Sequence, residues 1–392
     1  MQESIIIRNF GPIKEVEIKD IRPFTVFIGE SGSGKSTIMK MLVLFRWIYK
    51  VLNVRSYLKY ANITDLPFIF DFKSYLSTNG ILDYLHSNSE IIYKKGSTTI
   101  RYNKRLATSP IIPENELSLE KMSFIADKRN LIPDILAANK FSSKIPYKKT
   151  VDFDDVISFY LRETYEDFII ASKDVSELKF DYLGVRYFSE QTSFGVKYFI
   201  EGINDTKHPV IKLEDASSGI QTVTPLSVIV EYFSKKYNFS QFGDKIIFRY
   251  LYESGNLKKF NTGLNIDEIK HKNIHFHIEE PELSLYPESQ RSLINFIINR
   301  CFVEKREGYD MTVMFATHSP YIINHLNLLI KAFDTNTLIE NQARLSYDDM
   351  AVYLVEDGEM LPLKILNERL INTNPLSDTI NDIYDEYNQL LQ

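Results

Sequence analysis

The sequence predicts an α/β fold in which a parallel sheet flanked by helices follows an opening antiparallel β layer, and three observations carry that expectation. Short apolar or alternating runs at 5–8, 13–18 and 24–28, divided by Gly11-Pro12 and Arg22-Pro23, read as the first strands. A glycine-rich turn after Ile28 leads into residues 36–49, where Ile38, Met41, Leu42 and Phe45 recur at helical spacing. Later, strands at 274–278 and 312–316 alternate with helices at 288–300 and from Tyr321, the order that builds a parallel sheet.

The remaining elements fall between these. Residues 90–102 read as a hairpin around Lys95-Gly96 and 122–126 as a further strand. From 133 to about 180 the pattern is helical, with Phe153, Val156, Ile157, Tyr160, Leu161, Phe168 and Ile169 at three- and four-residue steps, but without the sustained heptads of a long coiled coil. This is a helical arm of moderate length. Strands at 195–200 and 210–213 and a helix at 221–237 follow, and the chain closes with a hairpin (352–355 and 360–363, around Asp357-Gly358) and a helix with Asn374 as cap and Pro375 at its first position. The expected division is 1–128, 129–200 for the arm, and 201–392.

Composition excludes several classes. With 44% hydrophobic and 13% aromatic residues, a chain of 392 residues can bury a large core and is not disordered. A formal charge of -6 argues against a surface dominated by phosphate-binding cations, although a local basic groove is invisible in a sum. Cys301 is the only cysteine, which removes an intrachain disulfide or a Cys-based zinc site and fits a reducing compartment; the expected location is cytoplasmic. The N-terminus lacks the layout of a signal peptide. The most apolar stretch, 39–52, is broken by Arg46 and Lys50 and falls short of the roughly 20 residues that span a bilayer, so no membrane partner is expected.

Four elements carry chemistry. Gly29-Glu30-Ser31-Gly32-Ser33-Gly34-Lys35-Ser36 matches the phosphate-binding pattern GxxxxGK followed by Ser or Thr, and lies after a strand and before a helix, where such a loop must lie. Its backbone N–H groups face phosphates, Lys35 supplies a cation to the β and γ oxygens, and the Ser36 hydroxyl ligates Mg2+; the predicted nucleotide-binding set is Gly29 to Ser36 together with Thr37. Glu279 and Glu280 end the strand at 274–278, at the sheet edge where open α/β folds bind ligands. Glu279 suits the hydrated Mg2+ and Glu280 the attacking water.

The strand at 312–316 runs into Thr317-His318-Ser319-Pro320 and presents His318 at the same edge, placed to donate to the γ-phosphate or its water. Ala216-Ser217-Ser218-Gly219-Ile220-Gln221 opens a helix and forms an anion site, although a plain helix cap explains Ser217 or Ser218 about as well. His275 and His277, two apart on a strand, face one way without further ligands in view, and a structural role is expected for them, as for Cys301.

In this order the four elements resemble the ABC-type ATPase heads, and within them the OLD-like (overcoming-lysogenization-defect) branch related to SMC and RecF proteins. The resembling segments are Ile7-Arg8-Asn9-Phe10-Gly11-Pro12-Ile13, the signature Ser217-Ser218-Gly219-Ile220-Gln221, Glu279-Glu280-Pro281-Glu282, and Thr317-His318-Ser319-Pro320. The resemblance implies a RecA-like parallel sheet with an N-terminal antiparallel layer and an inserted arm. It also implies Mg2+-dependent hydrolysis of ATP, with Lys35, Glu280 and His318 catalytic, Ser36 and Glu279 on the metal, and Ser217, Ser218, Gly219 and Gln221 completing the nucleotide site of a second copy.

Departures from the family pattern are also visible. Asp127 and Lys128 stand where the family's segment ends in Ala-Glu-Arg, which leaves Arg129 between a site role and a salt bridge. Tyr286 occupies a position that commonly holds Asp or His in the loop crossing the dimer interface, and no glutamine stands out as the Q-loop. No TOPRIM nuclease constellation follows His318, so the resemblance points to stand-alone ATPase subunits of anti-phage systems such as Septu and PARIS. Those work with a separately encoded effector, a nuclease or toxin.

The alternative is an SMC/RecF-like repair ATPase binding DNA across the dimer, for which Lys140, Lys144, Lys148 and Lys149 with Phe141 and Tyr147 would touch a backbone, unless they form a solvated loop. A transporter subunit is disfavoured by the insertion and the signature. The arm and the C-terminal stripe of Leu376, Ile380, Ile383, Tyr384 and Tyr387 are the candidate partner contacts, although such a stripe is more often core.

Overall fold

A computed structural model describes residues 1–61, 63, 71–142, 157–193, 195–203, 210–239, 269–376 and 378–390. The opening strands are β1 (Glu3–Phe10), β2 (Ile13–Ile18) and β3 (Phe24–Ile28), and α1 runs from Lys35–Tyr60. After α2 (Phe72–Thr78) come β4 (Leu85–Lys95), β5 (Thr98–Asn103), β6 (Arg105–Thr108) and β7 (Ser118–Ile125). Next are α3 (Ile132–Ser142), α4 (Phe159–Asp174), β8 (Glu177–Phe180), β9 (Val185–Thr192), β10 (Gly195–Gly202), β11 (Ile211–Lys212) and α5 (Ser218–Lys235). The last stretch holds β12 (His271–Glu279), α6 (Pro287–Ile298), β13 (Asp310–Thr317), α7 (Pro320–Asp334), β14 (Met350–Glu356), β15 (Glu359–Pro362) and α8 (Asp378–Leu390).

Among the described residues the strands form three larger sheets and one two-stranded ribbon, 364–365 with 370–371. The six-stranded sheet has the order β15-β14-β3-β13-β12-β7, with the five strands from β14 to β7 mutually parallel and only β15 reversed. An antiparallel sheet of order β2-β1-β4-β5-β6 forms the layer expected from the N-terminal sequence, and a smaller antiparallel sheet has the order β11-β10-β9-β8. This is the predicted α/β class with its opening β layer.

Alternation along the parallel strands divides the interior in two. Phe24, Val26 and Ile28 point with Val313 and Phe315 into one core, shared with α4, α5, α6 and α7. Phe27 points with Met314 and Ala316 into the other, where α1 lies between the parallel sheet and the N-terminal layer. On α1 the buried Ile38, Met41, Leu42, Phe45, Ile48, Tyr49 and Leu52 keep three- and four-residue spacing, so the helix has apolar side chains for both layers.

The segment 129–200 differs in detail from its expectation. The helical pattern stops at Asp174 rather than near 180, because 177–180 pair with β9 as a strand. α4 packs on β7 and α5: Lys121 and Ser123 donate to the Asp167 carboxylate at 2.6 Å each, and the Thr164 hydroxyl accepts from the Ala126 N–H at 3.0 Å. Phe153, Val156, Lys144, Tyr147, Lys148 and Lys149 lie outside the described residues. The C-terminal stripe is not core along α8, where Ile383, Tyr384 and Tyr387 are exposed, while Leu376 before it packs against the core. Among the described residues no helix is long and apolar enough to cross a membrane.

Between the N-terminal layer and the parallel sheet lies a buried seam of charge. Arg46 binds both oxygens of Glu3 at 2.8 Å and reaches His277 Nε2 at 2.8 Å, and Tyr93 donates to Glu3 at 2.7 Å. Glu120 accepts from Lys95 (2.7 Å) and Asn273 (2.8 Å) and faces His275 Nε2 at 2.6 Å, whose Nδ1 meets Thr312. Both histidines are thereby tied up structurally. The cations hold the Glu3 and Glu120 carboxyls well below the usual range against the opposing pull of burial, while burial draws His275 down to about 4.

The sign of the resulting pH dependence follows from linkage. His275 unfolded titrates near its ordinary value of 6.5 and folded near 4, so between those values only the unfolded chain takes up the proton. Glu3 and Glu120 act in the same direction at lower pH. The urea midpoint is therefore expected to fall as pH drops from 7 to 4. Arg46→Leu, which strands the Glu3 charge, should destabilise by about 3–5 kcal/mol at pH 7, and Glu3→Leu/Arg46→Leu should recover most of that loss in the same titration.

Candidate functional site

The parallel register sets the site. Thr317 pairs with Ile28, Glu279 with Ala316, and Ile278 with Ile125, so β3, β13, β12 and β7 end at nearly one level. The next residues of each strand, Gly29, His318, Glu280 and Ala126, are delivered to a common edge.

From β3 the chain turns through 29–34 into α1. Gly29 and Gly34 have φ of 152° and 111°, conformations open to glycine, and a Cβ on Gly29 would lie 2.2 Å from the Val355 carbonyl oxygen. Neither position accepts a side chain. Lys35, the first residue of α1, turns back over the loop, and its Nζ donates to the carbonyls of Gly29 (2.8 Å) and Glu30 (2.7 Å) and lies 3.5 Å from Ser33 Oγ. Burial lowers its pKa, against the attraction of Glu280, Glu282 and Glu30. The N-terminus of a 26-residue helix, with first-turn N–H groups that lack helical partners, then faces the loop.

Glu279 is nearly buried, and burial raises its pKa despite Lys40, whose Nζ is 3.8 Å from Oε1, and hydrogen bonding from Ser36. A buried carboxylate beside the Ser36 hydroxyl, with Lys40 only at the outer limit of an ion pair, is a donor pair suited to a divalent ion. Among the described residues no three His, Cys, Asp or Glu side chains cluster to hold a metal alone. The pair thus fits Mg2+, which takes one or two carboxylates and completes its shell with water and phosphate. Glu280 is half-exposed, has φ 43° and lies with Oε1 3.8 Å from His318 Nε2. The His318 N–H donates to Glu282 at 2.7 Å, and Ser319 caps α7 and bonds Gln290 at 2.6 Å, which fixes the turn that presents the imidazole.

These groups surround a cavity of about 260 Å3, lined in part by Gly34, Lys35, Ser36, Thr37, Glu279, Glu280 and His318. Asp127, Pro12 and Tyr84 also line it, and none of the three was singled out for the site from sequence. A neighbouring cavity of about 770 Å3 continues past Gly29, Glu30, Ser31, Gly32 and Ser33 to the β14–β15 turn. No wall of either cavity includes Ser217, Ser218, Gly219 or Gln221.

Ser217 and Ser218 are exposed at the start of α5, and Ser217 makes no side-chain cap bond. The Gln221 amide donates to the Glu214 carbonyl at 2.9 Å. Arg129 takes no part in a salt bridge among the described residues: it is fully buried and donates only to backbone carbonyls.

Residues 24–324, which contain the loop, both acids and His318, match the family model described as "AAA domain, putative AbiEii toxin, Type IV TA system". The chain belongs to this AAA family. No curated protein matches the sequence. Among solved structures, the chain is similar to an Smc head bound to the C-winged helix domain of ScpA, at 12% identity over 94% of this chain and 99% of that one, with a TM-score of 0.40. The SMC head domain from Thermotoga maritima gives 10% identity over 93% and 100%, with a TM-score of 0.37. The recombination mediator RecF gives 10% over 92% and 98%, with a TM-score of 0.32.

Two substitutions test the expected division of roles between Lys35 and Glu280. Lys35→Ala leaves phosphate charge uncompensated and should remove measurable ATP binding in calorimetry. Glu280→Gln keeps Lys35, Ser36 and Glu279, so it should bind ATP near wild-type affinity while phosphate release slows by about 10²–10⁴-fold; near-normal turnover would mean the two acids have been assigned in the wrong order.

Proposed function

We propose that this protein is a Mg2+-dependent ATPase whose site is completed by a second copy of the chain, and that it acts as a switch on a separately encoded effector in defence against phage. The convergence of Lys35, Ser36, Glu279, Glu280 and His318 on one cavity at the sheet edge carries the enzymatic reading. Membership of an AAA family supports it.

In this reading the loop N–H groups and Lys35 bind the phosphates, and Ser36 and Glu279 would hold Mg2+, which would supply positive charge to the phosphate group. Glu280 orients the attacking water and accepts its proton; His318, across from it, donates to the γ-phosphate. The fixed position of these groups before reaction is what lowers the barrier.

The second copy is supported by what lies away from the cavity. Ser217 and Ser218 are exposed at a helix N-terminus, and Gly219 rests on the 283–285 turn, where a Cβ would lie 2.9 Å from the Ser284 carbonyl oxygen. Tyr286, 79% exposed, stands beside that turn. These residues form an outward face suited to meet the phosphate loop of another copy. The effector reading draws on the toxin–antitoxin wording of the family description and on the anti-phage resemblance of the sequence.

Mixing tests the shared site. Ser218→Arg should bind ATP but fail to hydrolyse it, because a long cation fills the space for the partner's γ-phosphate, and combining it with Lys35→Ala should restore part of the activity by pairing an intact loop with an intact Ser218. Absence of recovery in heterodimers shown to form would exclude the arrangement.

The isolated protein with ATP and Mg2+ is expected to leave plasmid and tRNA uncut, since two-metal cleavage needs carboxylates converging at about 4 Å metal spacing and the acidic pair at the sheet edge serves ATP. Cleavage that survives Lys35→Ala would overturn this, as would full cellular activity without any neighbouring gene.

A further inference from the structure

The most unusual buried group outside the proposed reaction is Arg129, a cation with no carboxylate bound to it among the described residues. Nη1 donates to the carbonyls of Ala126 at 3.1 Å and Glu279 at 2.7 Å, Nη2 to that of Glu280 at 2.6 Å, and Nε to that of Thr222 at 3.3 Å. Burial draws its pKa down to about 10, with Glu282 and Glu280 opposing, so it stays charged at neutral pH. One guanidinium thus joins three segments: the end of β7, the end of β12 with both acids, and the first turns of α5.

The two ends of this connection differ in character. Glu280 has φ 43°, a conformation that a non-glycine residue keeps only when its surroundings enforce it. Its N–H donates to the Ala316 carbonyl at 2.8 Å, and its own carbonyl accepts from Arg129 and from the Leu283 N–H at 3.0 Å. Arg129 is therefore one of the constraints on the strained residue that carries the acid. At the other end, Thr222 lies one turn beyond Ser218 and close to Pro225, which contributes no N–H to the α5 ladder. Four fixed donors in one plane suit this task, and a lysine ammonium cannot span it.

We infer that Arg129 is a positioning residue that ties α5 to the Glu279–Glu280 backbone, so that seating of α5 against nucleotide on a partner copy sets the geometry of the acids in its own chain. The inference rests on the proposed two-copy ATPase and adds a route by which one site informs the other. Glu280 acts on the water; Arg129 acts only through the backbone of Glu280.

The test compares wild type with Arg129→Lys and Arg129→Gln for thermal unfolding, MgATP binding by calorimetry, and steady-state hydrolysis across ATP concentration. The strut predicts near wild-type Kd, kcat lower by about 10²-fold, and loss of the sigmoidal dependence on ATP that two coupled sites predict for wild type. A merely structural role would lower Tm and the active fraction together and leave the shape of the ATP curve unchanged, and that result, or wild-type kcat in both variants, overturns the inference.

If both variants fail to fold, hydrogen exchange on the wild-type protein decides. A non-hydrolysable ATP analogue with Mg2+ should slow exchange at 126–130, 218–224 and 279–284 together, and slowing confined to 218–224 overturns the strut. Wild type that binds no MgATP sinks the ATPase reading itself, whereas active wild type with indifferent Arg129 variants sinks the strut alone.

Discussion

The level pairing of β3, β13, β12 and β7 is the constraint on which the rest depends. Parallel strands in this register finish together, so the residue after each strand arrives at one edge without any long loop to place it. The phosphate loop, the acids, His318 and the 126–129 segment share a site because their strands share a rank. A slip of one residue in β12 would turn Glu279 to the opposite face and carry His275 and His277 out of the charged seam. Packing and chemistry therefore select the same register.

That seam explains how the register is held. His275 and His277 face one side of β12, and each meets a charged partner from a different element: Glu120 on β7 for the first, Arg46 on α1 for the second. Apolar side chains would pack here in several ways, whereas each of these groups needs its partner at hydrogen-bonding distance, and a mismatch strands a buried charge. Such a layer favours one alignment of the N-terminal sheet, α1 and the parallel sheet, and adds little to stability itself.

Much of this was legible in the sequence, and the reasons differ by element. The phosphate loop stands out because its glycines and lysine are demanded by backbone geometry and charge, both local properties; the strand endings at Glu279 and Thr317 follow from apolar runs that stop at polar residues. Arg129 was visible only as an arginine after Asp127 and Lys128. Its distant partners are main-chain carbonyls 93 to 151 residues away, and carbonyls have no side-chain pattern to read. Residues 177–180 read as the tail of the helical pattern before them, and only their pairing with β9, which follows as a hairpin with Phe180 opposite Val185, makes them a strand; the stripe on α8 left partner contact and core both open because amphipathic spacing does not reveal whether anything covers it.

β3 carries a further implication for how the molecule is made. Its two neighbours in the sheet, β13 and β14, both come from the last quarter of the chain. On the ribosome, Phe24-Thr25-Val26-Phe27-Ile28 emerges early and has no strand to pair with until residues 310–356 have been synthesised. For most of translation this short apolar segment is an unprotected edge, open to pairing with other nascent chains. The phosphate loop hangs from that strand, so the nucleotide site is among the last parts of the molecule to mature.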